Sequence, residues 1–367
     1  MICKNNAIHM QYNSKTGFFT PNVKLAECTE CEACMRICPA NNQTDSESYI
    51  GNYLNLHLAH ACDPVVRNQA TSGGVINSLI RYLLEKHIVE AAVLVQHDST
   101  SPVEASAKVI TLDCISRMAQ KPREYTSRYV SVPVLCEIGE HLRKYKRIAV
   151  VGTPCQMCAL KKMPSTRIIK IGIACSGGMS YLATQAYKQY MKLPNAQMYY
   201  RGNGWPGTNS LVDGEKEVTA KYINSLFDQM FTSQIFKNSG CHQCKDHFAE
   251  CADISFCDFW NSQEMANETE GNSCVIIRNE EMKSAFSDLV QNGYVEEVKI
   301  LSETEILQSQ INVLKAKKGN LKSKFQFKVY RWMTGMIFAS RVYMLFNHRI
   351  YRKFCRIYHR ICGKAVL

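Results

Sequence analysis

Four cysteines near the N-terminus restrict what this chain can fold into more than any other feature of its sequence. They have the spacing C-x2-C-x2-C-x3-C, and a proline follows the last of them. Loops this short bring three thiolates to one side of a cubane cluster, whose sulfides accept hydrogen bonds from the protein. The run predicts a ferredoxin-like 4Fe-4S module over residues 18–42, with the ligands Cys28, Cys31, Cys34 and Cys38. A zinc site and thiols without a metal are the alternatives.

The sequence offers two candidates for the fourth ligand of this cluster. In two-cluster ferredoxins the fourth cysteine of such a run binds the other cluster. No second copy of the run occurs here. Either Cys38 completes its own cluster, or a cysteine further along the chain, such as Cys62, does so. We favour Cys38.

The cysteine content points to thiols that stay reduced. The chain has 18 cysteines among 367 residues, and its N-terminus lacks the apolar run of a signal peptide. Reduced thiols at short spacings indicate metal or redox chemistry before disulfides. We therefore expect a cytoplasmic protein. With 46% hydrophobic residues, the chain can build about two domains and their extensions.

Positive charge is concentrated in the C-terminal tail. Residues 306–367 contain fourteen Lys or Arg and no Asp or Glu, so the rest of a chain with net charge +12 sums to −2. A near-neutral body argues against nucleic-acid binding. The aromatic and basic segment 315–367 predicts one or two amphipathic helices that contact the inner face of a membrane or another subunit. Its charge-free run, Trp332 to Ser340, is shorter than the roughly 20 residues that span a bilayer.

Alternating strand and helix patterns follow the N-terminal module. Residues 89–95, 147–151 and 168–174 are apolar runs typical of buried strands. A helix is predicted after residues 71–74, where apolar residues recur at helical spacing. This alternation predicts an α/β (α+β) fold with a mixed, mostly parallel sheet. We divide this part of the chain into two domains, residues 55–140 and 141–305.

A second set of cysteines is scattered over the body of the chain. Cys155 and Cys175 follow two of the predicted strands, and Cys241 and Cys244 form a C-x2-C pair. Four such thiols suit an iron-sulfur cluster or zinc, and buried core cysteines are the third interpretation. Cys155 and Cys158 also form a C-x2-C pair, for which a thioredoxin-like dithiol is the alternative.

The segment Thr71-Ser72-Gly73-Gly74 places hydroxyl groups and glycine backbone at a predicted helix start. Free amides at such a position favour a phosphate or an anionic flavin edge. An ordinary N-cap is the alternative. The sequence contains no P-loop motif.

Several short motifs, taken in chain order, resemble those of one family. They are His60 to Arg67, Thr71 to Gly74, Ser127 to Tyr129, Val151 to Gln156, Ala174 to Gly177, Arg201 to Trp205, Cys241 to Cys244 and Ala252 to Trp260. The series is similar to the coenzyme F-420 hydrogenase/dehydrogenase beta-subunit family, over about residues 28–277. The resemblance implies a flavin-binding domain in which FAD exchanges electrons with 4Fe-4S clusters and a reducible partner. It also implies that Cys155, Cys175, Cys241 and Cys244 hold a second 4Fe-4S cluster.

The resemblance further implies a set of FAD contacts. They are Arg67, Ser72, Gly73, Gly74, Ser127, Arg128, Tyr129, Gly152, Thr153 and Arg201. Arginines in this set would balance the charge of the phosphates or of the reduced flavin. The alternatives are that the arginines are solvated surface residues and that Tyr129 packs against other side chains without touching the flavin. Two residues depart from the family pattern: Arg128 stands where Lys is usual, and Cys257 replaces a Gly. Cys257 is therefore an alternative cluster ligand, and we assign no deazaflavin substrate.

These observations predict an iron-sulfur flavoprotein oxidoreductase with two 4Fe-4S clusters and FAD. Its partner is a redox protein or a small-molecule electron donor or acceptor, and no nucleic acid is expected. Two alternatives come from other classes. One is an iron-sulfur electron carrier or adaptor subunit without flavin chemistry, and the other is a zinc-binding module with a basic tail.

Overall fold

The chain begins with a two-stranded hairpin that leads into the cysteine run. In this computed structural model the described residues are 2–41, 48–163, 165–223, 225–261, 267–319, 328, 329 and 332. Strands β1 (Ile8–Asn13) and β2 (Phe18–Val23) pair antiparallel. A 3-10 helix (Leu25–Glu27) and the short helix α1 (Ala33–Ile37) follow. The cysteine run therefore lies directly after the hairpin.

This N-terminal module contacts the rest of the chain at its hairpin tip, through Tyr12 and Phe19 of the hairpin, and at α1. At the hairpin tip, the Ser180 hydroxyl donates to the Thr16 carbonyl at 2.6 Å, and the Tyr181 N–H donates to the Gly17 carbonyl at 3.0 Å. Gly17 has φ +68°, and a Cβ there would lie 2.3 Å from the Ser180 Oγ, so the tip requires glycine. Away from the tip, α1 packs against α6 (Pro154–Lys161).

Within the described residues, eight strands form a central sheet and three form a small antiparallel sheet. The central order is β13 (Val295–Ile300), β3 (Asn55–Ala61), β12 (Ser273–Ile277), β11 (Ile254–Asp258), β7 (Ile168–Ile173), β6 (Ile148–Gly152), β4 (Ala91–His97) and β5 (Ala105–Ile110). The small sheet has the order β10 (Lys216–Lys221), β9 (Thr208–Asp213) and β8 (Gln197–Tyr199).

The central sheet is mixed. Its parallel pairs are β11 with β7, β7 with β6, and β6 with β4, while the other neighbours are antiparallel. Following these pairings, β3, β4, β6, β7 and β11 all run in the same direction. Their carboxyl ends therefore meet at one edge of the sheet, which is where α/β proteins bind their ligands.

Helices cover both faces of this sheet. Among the described residues up to 319, the other α-helices are α2 (Pro64–Gln69), α3 (Val75–Glu85), α4 (Ile115–Gln120), α5 (Ile138–Lys144), α7 (Tyr181–Tyr190), α8 (Leu226–Ser233), α9 (Glu280–Gln291), α10 (Glu303–Ser309) and α11 (Ile311–Lys318). Successive side chains of a strand point to opposite faces. Ile148 and Val150 of β6 thus join the core with α5 to α8, whereas Ala149 joins the core with α3 and α9. A third apolar cluster lies under α10 and α11.

The predicted α/β fold class with a mixed sheet is confirmed. Strands of residues 55–140 and 141–305 share the central sheet, so the boundary between them stays a prediction. Most of the predicted tail, residues 315–367, lies outside the described residues, and its first residues belong to α11. In the described part of the chain, no helix has both the length and the apolar character needed to cross a membrane.

Candidate metal centres and cofactor site

The first candidate centre is the N-terminal cysteine run. Cys28 follows the 3-10 helix, and Cys34 lies in α1. Cys38 caps the end of α1, where its N–H donates a hydrogen bond to the Cys34 carbonyl at 3.2 Å. Cys31 is exposed. A hydrogen bond from the Ala33 N–H is the largest cause that lowers the pKa of the Cys31 thiol. A backbone amide directed at a cysteine sulfur suits a thiolate that binds iron.

Cys3 lies beside this run, although no spacing rule marks it in the sequence. Its thiol accepts a hydrogen bond from the Ala7 N–H at 3.3 Å. The Asn5 side chain donates to the Glu27 carbonyl at 3.2 Å, on the residue that precedes Cys28. The hairpin register thus brings the Cys3 segment back to the start of the run. Only that register, which is a long-range property, could have identified Cys3.

The second candidate centre combines three separate chain segments. Cys155 is the second residue of α6, directly after β6, and Cys175 follows β7. Cys241 lies in a 3-10 helix (Ser239–His242), and Cys244 follows it. Because β6 and β7 are parallel neighbours, Cys155 and Cys175 lie at the same edge of the sheet.

The thiols of this second set lie close enough to affect one another's ionisation. Burial raises the pKa of Cys155, whose thiol still reaches the surface, and Cys244 and Cys241 raise that pKa further. Burial also raises the pKa of Cys175 to about 12; Cys155 and Cys241 add to this, while Lys317 opposes it. Several thiolates at such a site require a compensating cation, which a bound metal supplies. The structure therefore brings the four predicted residues together.

Hydrogen-bond donors surround the second set. The contacts are Gly178 N–H to Cys241 Sγ at 3.3 Å, the Thr153 hydroxyl with Cys155 Sγ at 3.3 Å, and Lys317 Nζ to Cys244 Sγ at 3.5 Å. Within the described ranges, no group of three or more His, Cys, Asp or Glu is arranged to hold a metal ion. In a 4Fe-4S cluster each cysteine binds a different iron, so its thiolates do not need to converge on one ion. Soft ligands with donors beside them fit such a cluster.

The two candidate centres are neighbours. Helix α1, which carries Cys34, packs against α6, which carries Cys155. The contact between α1 and α6 therefore brings the two cysteine sets close to each other.

Predicted cofactor residues after β3 contact the turn at residues 268–273. Arg67 Nη2 donates to the Glu268 carboxylate at 3.2 Å, so Arg67 is ion-paired rather than solvated. The Gly73 N–H donates to the Ser273 hydroxyl at 3.0 Å, and the Ser72 hydroxyl lies 2.9 Å from the same oxygen. These residues form a packed junction between two loops at the carboxyl edge of the sheet.

Residues 127–129 connect this junction to the small sheet. The Ser127 N–H donates to the Thr71 hydroxyl at 3.2 Å. Arg128 donates to a backbone carbonyl at 2.8 Å and lies 5.3 Å from the Tyr199 ring centroid. Burial lowers the pKa of Arg128, and in the described part of the protein its Nε has no hydrogen-bond partner. Tyr129 packs edge-on against a phenylalanine ring at 4.9 Å.

Arg201 occupies a cage of aromatic rings. Its Cζ lies 4.7 Å from the ring centroid of Tyr222, 4.9 Å from that of Trp205 and 5.0 Å from that of Trp260. It also forms an ion pair with Asp258, at the end of β11. Burial by itself lowers the pKa of Arg201, but Asp258 and two tyrosines outweigh it and raise the pKa above its usual value. Its Nη2 is buried, and no partner for it exists among the described residues.

Gly152 and Thr153 shape the turn from β6 into α6. The Thr153 N–H donates to the Gln156 side chain at 2.9 Å in a capping box. A Cβ at Gly152 would lie 2.8 Å from the Gln156 Oε1. Gly74 precedes α3 with φ +75°, where glycine is favoured. In this structure, Gly152 and Thr153 therefore place Cys155.

One GxGxxG sequence occurs at residues 202–207. It connects β8 to β9 of the small antiparallel sheet, and β9 rather than a helix follows it. A dinucleotide fingerprint instead follows a strand and opens a helix. These glycines are therefore not such a fingerprint.

The cysteines outside the two sets include Cys257 and Cys62, which the sequence suggested as ligands, and Cys158, which forms a C-x2-C pair with Cys155. Cys257 lies in β11 opposite Cys274, and both belong to the third apolar cluster, so Cys257 is a core residue. Cys62 follows β3 and is exposed. The Cys158 and Cys251 thiols form a hydrogen bond, which lowers the pKa of Cys158 and raises that of Cys251.

Comparison with known proteins identifies the family. Residues 56–114 match the N-terminal part and residues 145–303 the C-terminal part of the coenzyme F420 hydrogenase/dehydrogenase beta subunit. The chain belongs to this beta-subunit family. Residues 1–42 match a 4Fe-4S dicluster domain. The resemblance seen in the sequence motifs is confirmed.

Relatives of this beta-subunit family cover most of the chain. The coenzyme F420 hydrogenase subunit beta of Methanococcus voltae is 25% identical over 262 residues, 67% of this chain and 84% of that protein. An F(420)H(2) dehydrogenase subunit of Methanosarcina mazei is 25% identical over 271 residues, 69% of this chain and 71% of that protein. A chain of the F420-reducing NiFe hydrogenase complex from Methanosarcina barkeri has a TM-score of 0.56 at 18% identity and covers 75% of this chain and 93% of its own. This last similarity shows a shared fold.

Family membership supports the predicted oxidoreductase class, and the dicluster match supports the predicted iron-sulfur clusters. The matched N-terminal segment contains one complete four-cysteine run together with Cys3. The beta-subunit match ends at residue 303, so α11 lies beyond it.

Proposed function

We propose that this beta-subunit family member is an iron-sulfur flavoprotein that passes electrons between two 4Fe-4S clusters, FAD and a two-electron substrate or partner. One observation carries the proposal: thiols from three chain segments meet at the carboxyl edge of the sheet, beside the helix of the N-terminal run. Thiolate sites on contacting helices suit one-electron transfer from cluster to cluster.

The proposed ligands follow from the two cysteine sets. The first cluster uses Cys28, Cys31, Cys34 and Cys38, and the second uses Cys155, Cys175, Cys241 and Cys244. We retain Cys38 as the fourth ligand of the first cluster. Cys3 is an added candidate because it returns to the start of the run, and Cys62 is the candidate that the sequence suggested.

FAD is the proposed converter between single electrons and a two-electron substrate. Its support is a pair of buried guanidinium nitrogens, Arg201 Nη2 and Arg128 Nε, for which the described residues provide no acceptor. Leaving a buried donor unpaired is costly, and a flavin or phosphate oxygen is a suitable acceptor. The junction formed by Arg67, Ser72 and Gly73 lies at the same edge of the sheet.

A redox partner protein is part of this proposal. The Methanococcus voltae and Methanosarcina mazei relatives are named as subunits, and we extend this property to the present chain. The partner is then another subunit that supplies or removes electrons, in the cytoplasm or at the inner face of a membrane.

Anaerobic purification of the full chain tests the proposal. We expect about eight irons and eight sulfides per chain, with acid-released FAD at about one per chain. Replacing Cys31 and Cys34 by Ser, or Cys155 and Cys175 by Ser, is expected to remove about half of the iron in each case. Cys114→Ser is the matched control, because Cys114 belongs to neither set, and its iron content stays at the wild-type level.

The other classes of protein give different results. Iron and sulfide without flavin indicate an electron carrier or adaptor subunit. Zinc in place of iron indicates a zinc-binding module. A chain that holds neither metal after anaerobic reconstitution contradicts all three. Single Ser variants of Cys3, Cys38 and Cys62 identify the fourth ligand, since only its loss converts the first cluster to a three-iron signal in electron paramagnetic resonance.

A further inference from the structure

Helix α11 covers the second cysteine set with a buried lysine. Lys317 is only 9% exposed, and its Nζ donates to Cys244 Sγ at 3.5 Å and to the Asp246 carbonyl at 2.6 Å. Leu314 lies one turn earlier on the same side of α11 and is 2% exposed within the third apolar cluster. Apolar packing thus holds this ammonium group against a cysteine sulfur.

Lys317 is also close enough to Cys175, His247 and the Asp246 carboxylate to interact with them electrostatically. An ammonium group on a long side chain is rarely this buried unless it is paired, and here its neighbours are a cysteine thiol, a backbone carbonyl and the Asp246 carboxylate.

We propose that Lys317 is a positioning residue that raises the reduction potential of the cluster held by Cys155, Cys175, Cys241 and Cys244. This inference rests on the proposed function. One electron from an external reductant adds one negative charge to the site during reduction, and no bond to Lys317 forms or breaks. A buried cation a few ångströms away stabilises the more negative state, since charges interact strongly where water is excluded. Lys317 lies outside the residues that match the beta-subunit family, which end at residue 303.

Two charge-removing variants and two controls test the proposal in the full chain. Lys317→Met removes the charge at similar length, and Lys317→Gln also keeps a donor for the Asp246 carbonyl. Lys317→Arg retains the charge. Lys315→Met removes a charge from the exposed side of the same helix. All are reconstituted anaerobically with Cys31 and Cys34 replaced by Ser, so that the signal comes from the second cluster.

The readout is a redox titration with dithionite, followed by electron paramagnetic resonance. We expect both charge-removing variants to lower the equilibrium constant for one-electron reduction at least tenfold, which corresponds to about 59 mV. The Arg variant and the Lys315 control keep the parent potential. If Lys317→Gln or Lys317→Met keeps the parent potential at full iron content, the proposed role of Lys317 is wrong and the proposed function is unaffected. A parent protein with no cluster on these cysteines overturns the proposed function and the inference together.

Discussion

The ion pair of Arg201 and Asp258 gives a stability prediction whose size follows from burial. The Arg201 side chain is 1% exposed and that of Asp258 is 23% exposed. Asp258→Asn removes the negative charge and leaves the guanidinium buried. Breaking a buried pair by removing one partner costs about 3–5 kcal/mol. Three aromatic rings contact the cation before and after the substitution, so their contribution cancels in the difference.

We therefore expect Asp258→Asn to lower the free energy of unfolding by about 3 kcal/mol, the low end of that range, because the Asp258 side chain is partly exposed. The double variant Arg201→Met, Asp258→Asn buries no charge at this site. It should be more stable than the sum of the two single variants predicts, by about 2 kcal/mol. Urea denaturation followed by tryptophan fluorescence measures all three, because Trp205 and Trp260 lie directly against Arg201.

A solvent-exposed ion pair supplies the matched control. Arg123 and Glu217 are 26% and 37% exposed, with an Nη2 to Oε1 distance of 2.8 Å. Glu217→Gln should cost less than about 1 kcal/mol, since water stabilises the remaining charge. If Asp258→Asn were no more destabilising than Glu217→Gln, or if the double variant equalled the sum of its parts, the buried-charge reasoning would be wrong.

Three further predictions concern packing, capping and pH. Gly73→Ala should cost about 1–3 kcal/mol in urea denaturation, because the new Cβ meets the Ala59 carbonyl oxygen at 2.7 Å; wild-type stability would show that the loop moves freely. Gln156→Leu should cost about 1–3 kcal/mol, since the Thr153 N–H loses its acceptor, and an unchanged midpoint would contradict the capping role. Burial, and after it the carboxylate of a neighbouring aspartate, raises the pKa of Tyr82 to about 12. The protonated Tyr82 therefore contributes stability that is fully present below pH 10 and is lost as the pH rises through 12. The loss should be about 2–3 kcal/mol. Tyr82→Phe should reduce the alkaline loss by that amount, while other buried tyrosines with a raised pKa, such as Tyr187 and Tyr200, still contribute. An alkaline loss as large as in the wild type would contradict the role of Tyr82.

Local sequence patterns were sufficient to predict the strands and the helix that position most of the candidate ligands. The apolar runs at 147–151 and 168–174 correspond to β6 and β7, and the helix predicted after Gly74 is α3. Two parallel strands followed by cysteines require those cysteines to share an edge of the sheet. Spacing within the N-terminal run likewise needs no knowledge of distant contacts.

The remaining features depend on contacts between distant segments, which a local pattern does not encode. The segment that carries Cys3 returns to the start of the first run through the pairing of β1 with β2. The Arg201 cage draws its rings from the small sheet and from the end of β11. Lys317 belongs to a basic stretch that is typical of a solvated helix face, and only the packing of α11 buries it. Antiparallel β12 and β13 also join a sheet whose sequence pattern suggested mostly parallel strands.

Attachment of the N-terminal module at its hairpin tip and at α1 bears directly on electron transfer. The hairpin tip is held at the start of α7 by Ser180 and Tyr181, and α1 lies against α6. A module joined only through a flexible segment would let the distance between the two cysteine sets vary. Here a change at either attachment alters the position of Cys34 relative to Cys155. Because electron transfer between clusters depends on their separation, we expect both attachments to support the proposed relay.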